Sequence, residues 1–249
     1  MKGLLVEQVE QCLRQGQVRR AIRLLRQAVD AGEAPLLCYR KLAELYRMQQ
    51  HYSQAIWALR QAMRYTTDLD PLRKMLIEVM LESGDWQGAV QECRRWLRES
   101  PDHPVPLEQL MDAYWRRMQL RQALEVANRL VQLQPNAAHY RLRRARLLDE
   151  MGRHAQAVEE YQRLAEDISA PLEVIFLAHL ELQRLDQQQL EVLMPLLIED
   201  VAFRLEFLRD PIEAVRQRGF RFSEVGEEML ALLPEEMRPL RAKRHGGYC

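Results

Sequence analysis

The side chains of this 249-residue chain that could do chemistry are six histidines, four cysteines and a few adjacent carboxylates, and their spacing assembles no reaction centre. The histidines stand at 51, 103, 139, 154, 179 and 245, without the His-Glu-x-x-His or Cys-x-x-Cys spacing that places metal ligands side by side. No metal and no cofactor is expected. Glu159-Glu160 and Glu227-Glu228 are sequence neighbours, so on a helix they diverge by about 100° and cannot act together on one substrate. A Gly-rich phosphate loop and a Gly-x-Ser-x-Gly elbow are both missing. The chain is therefore read as a non-enzyme with no catalytic residue. Cys12, Cys38, Cys93 and Cys249 show no paired spacing and read as reduced thiols, with Cys12 and Cys93 at core positions. Cys249 follows Gly246 and Gly247 in a basic tail, where it is either a modification point or simply the end of the sequence.

What the spacing does build is a scaffold. Ala21, Ala55, Ala89, Ala123 and Ala157 recur every 34 residues, the period of a repeated helical hairpin. Each opens a second helix, and the residues four and seven positions on, such as Leu25 and Ala28 or Tyr161 and Leu164, lie over successive turns of one face. The small residue lets the two helices of a hairpin approach closely. Residues sixteen, thirteen, twelve and nine positions before each alanine should line the inner face of the first helix. In the second unit these are Tyr39, Leu42, Ala43 and Tyr46, followed by a turn at Gln50, His51 and Tyr52.

That second unit is similar to the tetratricopeptide repeat pattern nearly position by position. The third keeps Leu76, a Gly84-Asp85-Trp86 turn and Pro101, but has Arg73 where an aromatic is usual. The fourth has Leu107, Leu110, Tyr114 and Pro135, with Met118 in the turn instead of glycine. The fifth has Ala145, Leu148, Gly152 and Tyr161, with Arg141 and Arg144 at positions the family usually makes apolar. The resemblance implies an all-α, right-handed superhelical solenoid of antiparallel helix pairs. It also implies a protein or peptide partner held in a concave groove lined by the first helices.

Helical periodicity selects the residues that should face such a groove: Arg40, Glu44, Arg47 and Met48; Lys74, Glu78 and Leu81; Glu108, Asp112, Trp115 and Arg116; Leu142, Arg146 and Asp149. Arg and Trp are what interface centres favour. The competing reading makes Arg40–Glu44 and Lys74–Glu78 i,i+4 pairs within their own helices. One subgroup of the family clamps acidic chaperone tails with lysines and asparagines, but here Glu44, Glu78 and Asp112 replace the asparagines, and a segment with basic and apolar residues suits the groove better.

Thirty-six basic residues balance thirty-six acidic ones, which argues against nucleic acid or an anionic membrane as partner. Arg141, Arg143, Arg144 and Arg146 cluster, but Asp149 and Glu150 follow, so they read as a solvated face. The N-terminal apolar run is too short for a signal peptide and nothing approaches a membrane span, which places the protein in the cytoplasm by default. The domain reading is five hairpins over 1–170, a degenerate sixth hairpin or cap over 171–200, a small helical module over 201–233 and a basic tail over 234–249. In the module, Asp210-Pro211 should start a helix, Gly219 end it, and Ser223 cap a last helix that stops before Pro234. This stretch resembles the leader-type helical modules of modified-peptide precursors. Two functions follow: an adaptor or assembly factor that binds a partner segment in the groove, or a carrier whose module docks an enzyme acting near Cys249.

Overall fold

The computed structural model describes residues 2–237, with side chains over 7–234, and among these residues it is all helical. Two compact units divide at Val126 and Ala127. The first holds α1 (Lys2–Arg14), α2 (Val18–Asp30), α3 (Pro35–Met48), α4 (Tyr52–Ala62), α5 (Asp70–Glu82), α6 (Trp86–Glu99) and α7 (Pro104–Arg116), each packed on the next. Helix α8 (Leu120–Leu133) carries the chain across the division. The second unit holds α9 (Ala138–Glu150), α10 (His154–Ala165), α11 (Leu172–Glu199), α12 (Val201–Arg209), α13 (Pro211–Gln217) and α14 (Glu224–Met237).

The five periodic alanines are all at 0% exposure, as a close helix crossing requires. The hairpin turns share one conformation. Gly16, Gln50, Gly84, Met118 and Gly152, again 34 apart, all have φ between 57° and 80°. The residue after each donates its N–H to a carbonyl five positions back, as in Gln17 to Cys12, His51 to Tyr46 and Arg153 to Leu148. That bond closes the first helix and reverses the chain. Glycine adopts this conformation freely, whereas Gln50 and Met118 hold it at a cost of roughly 1 kcal/mol each.

The arginines at family-apolar positions are absorbed by pairing. Arg73 is buried over the Trp96 ring, 5.8 Å from its centroid, with Glu99 at 2.6 Å, so a guanidinium does the stacking an aromatic would do. Arg141 pairs with Asp167, and Arg144 with Glu160 at 2.5 Å. Together with Arg146, these half-buried arginines are not the solvated basic face expected from sequence; each is tied to a carboxylate of a neighbouring segment.

Residues 172–199 form one continuous helix instead of a sixth hairpin. The stretch Asp186 to Glu191 contains no glycine or proline, and its glutamines and leucine are good helix formers, so nothing stops α11 where the turn is due. The end of α11 contributes to a separate core of Leu193, Leu197, Phe203, Phe207, Ala214, Val215, Phe222 and Leu230. Asp200 and Asp210 cap α12 and α13, accepting from Phe203 N at 2.9 Å and Glu213 N at 3.1 Å. The caps at Asp210 and Ser223 and the positive φ of Gly219 agree with the sequence. Helix α14, however, runs through Pro234 to Met237; a proline so near the helix end removes a bond only from the last turn.

Candidate protein-interaction surface

The first helices of neighbouring hairpins, α3 with α5 in one unit and α9 with α11 in the other, are joined by charged seams. Arg47 on α3 donates from Nε to Glu82 at 2.8 Å and from Nη1 to Glu78 at 3.3 Å, both on α5. Its hydrogen bonds to Glu82 outweigh desolvation and raise its pKa. In the second unit Arg146 on α9 reaches Glu181 on α11 at 3.3 Å, and Asp149 pairs with Arg184. Asp149 also meets His154 at 2.9 Å. Burial works against the Arg184 charge, but its hydrogen bonds to Glu181 and Asp149 prevail and raise its pKa. Beside this cluster Tyr161 is fully buried, and burial followed by the charges of Glu181 and Asp149 pushes its hydroxyl up.

Nine of the residues expected in the groove therefore fall into three groups. Arg47, Glu78, Arg146 and Asp149 hold the seams. Leu81 and Leu142 do not face the groove at all: both are buried, because the flank of a first helix is covered by its neighbours. Exposed on the same helices are Arg40, Met48 and Lys74. Glu44 is half-buried and pairs with Lys41 at 2.8 Å, not with Arg40, and Glu78 turns to Arg47 instead of Lys74. On α7, Glu108, Asp112 and Trp115 are half-buried, while Arg116 is exposed with its guanidinium 5.8 Å from the Trp86 centroid, toward α6. Trp57 on α4 is 50% exposed and meets Tyr39 edge-on.

Sequence reasoning missed Glu82, Glu181 and Arg184. Their signal was available: Glu82 and Arg184 lie 35 positions after Arg47 and Asp149, opposite in sign, one repeat and one residue on. Cys12, Cys38 and Cys93 are buried free thiols, and burial pushes Cys93 up to about 12. Cys249 lies outside the described residues. Among the described residues no cluster of metal-ligating side chains occurs, and no helix is long and apolar enough to cross a membrane.

Three family models, each described as tetratricopeptide repeat, match residues 40–104, 80–144 and 140–167, and so run together over 40–167. No curated protein matches. Among solved structures, MamA residues 41 to the end from Desulfovibrio magneticus RS-1 aligns at TM-score 0.52 and 17% identity over 65% of this chain and 91% of that one. A MamA RS-1 double mutant aligns at TM-score 0.51 and 17% identity over 64% and 89%. YrrB, described as a TPR protein with an unusual peptide-binding site, aligns at TM-score 0.49 and 15% identity over 70% and 90%.

Proposed function

The chain belongs to the tetratricopeptide-repeat family, and from that premise we propose that it is a non-enzymatic adaptor or assembly factor that holds a segment of a partner protein against its first helices. The observation that carries the reading is the division on α3 and α5. Glu78 and Glu82 are both turned to Arg47, whereas Arg40, Met48 and Lys74 stay exposed. Because the seam takes up the acidic side chains, the charges left over on α3 and α5 favour a segment with acidic and apolar residues over the basic one suggested by sequence.

The test is retrieval from a lysate by the full chain and by the Arg40→Glu, Lys74→Glu variant. Both positions are exposed, so helicity should not change. Partner yield should fall by about tenfold or more, the cost of losing an interface anchor. Undiminished yield would reject the first-helix face as the binding surface.

A further inference from the structure

At position 186 the repeat should turn. Gly16, Gln50, Gly84, Met118 and Gly152, in the same register, all have positive φ. Asp186 instead sits inside α11, with its carboxylate buried and accepting from the Ser223 N–H at 2.8 Å and from the Ser223 hydroxyl. Among the described residues no second helix folds back on this sixth first helix, and its flank is open. The residues in the register of His179 in four earlier units, Ala43, Ile77, Met111 and Ala145, are at most 1% exposed, yet His179 is exposed. Leu172 and Phe176, two turns and one turn before it on the same flank, are 84% and 66% exposed. Across from this flank α14 presents Val225 and Met229, both exposed. A cavity of about 410 Å³ lies between α10, α11 and α14, floored by Ala165, Leu182 and Leu190. Glu166, Asp186 and Glu224 line it, with no lysine or arginine among the lining residues.

We propose that this trough is a second docking site, and that its occupant is an amphipathic helix of a partner protein with an apolar stripe flanked by lysine or arginine. The charge follows from the two exposed carboxylates, Glu166 and Glu224, with no lysine or arginine in the lining to offset them. The helical form follows from the register: the trough lies where the five other units fold back their own second helix, and an apolar floor edged by charge takes side chains at i, i+3 and i+4 spacing. The site is independent of the first-helix reading. At 100° per residue, Leu172, His179, Gln183 and Leu190 lie on roughly the opposite side of α11 from the seam residues Glu181 and Arg184.

A suitable probe is a labelled synthetic peptide with the sequence of residues 18–30, a second-helix sequence carrying Arg19, Arg20, Arg23 and Arg26 against Asp30. Fluorescence anisotropy with the full chain should show saturable binding. Val225→Ser with Met229→Ser, both at exposed positions and adding no charge, should weaken it by about tenfold or more, and Glu166→Lys severalfold, while Arg40→Glu with Lys74→Glu should leave it unchanged. No saturable binding at about 100 µM peptide, or binding indifferent to the α14 variant, would overturn the proposal. So would sedimentation of the chain as a dimer that the α14 variant dissociates, which assigns the trough to a second copy. A tenfold or greater gain in peptide affinity from Arg241→Glu with Lys243→Glu would assign it to the chain's own end and overturn it equally.

Discussion

The seam between α3 and α5 and the seam between α9 and α11 occupy the same places in the repeat with opposite polarity. Arg47 faces Glu82 in the first, and Asp149 faces Arg184 in the second. The repeat therefore fixes where a charge pair can form and leaves its sign open, since complementarity is all the geometry demands. The two also differ in burial. The carboxylates of the first seam are 32% and 37% exposed, those of the second 14% and 19%. Water screens the carboxylates of the first seam more than those of the second, so equal distances should not mean equal energies.

Removing Asp149 should have the largest effect, because it strands Arg184 without its more buried partner and releases His154 as well. Asp149→Ala should cost about 2 to 3 kcal/mol, read as a lower urea midpoint. Arg47→Ala, at the wetter seam, should cost about 1 kcal/mol by the same measurement. Equal losses would erase the distinction between the seams. The reversed pair Asp149→Arg with Arg184→Asp gives the second seam the charge order of the first, and should recover at least about half of what Asp149→Ala loses. Smallest are Gln50→Gly and Met118→Gly, which relieve left-handed backbone at the ends of α3 and α7. Each should raise stability by up to about 1 kcal/mol, and no gain at either would mean that Gln50 and Met118 hold that conformation without strain.

The five alanines, the turns and the three helices after residue 200 were legible because each rests on a local rule, a small residue at a crossing or a capping side chain before a helix. Groove residues were harder. A 100° step tells which face of a helix a residue occupies, but not whether a neighbouring first helix lies over it, and so Leu81 and Leu142 were placed in the open. Charge pairs across the seam show only when opposite charges are sought one repeat and one residue apart, as Arg47 and Glu82 are, and not within a single helix. The unbroken α11 could be anticipated only by noticing that Asp186 stands at the turn register with no breaker after it. Arg73 looked like a defect in the pattern until its stacking on Trp96 supplied the missing aromatic contact.

The central claim is that seam charges hold neighbouring hairpins together while the exposed residues of α3 and α5 hold the partner. It is tested most directly by one capture experiment run side by side on the seam-reversed Asp149→Arg, Arg184→Asp chain and the Arg40→Glu, Lys74→Glu chain. The account predicts that the first retrieves the wild-type partner at wild-type yield and that the second loses it by about tenfold or more. Loss from the seam-reversed chain with retention by the other would contradict it.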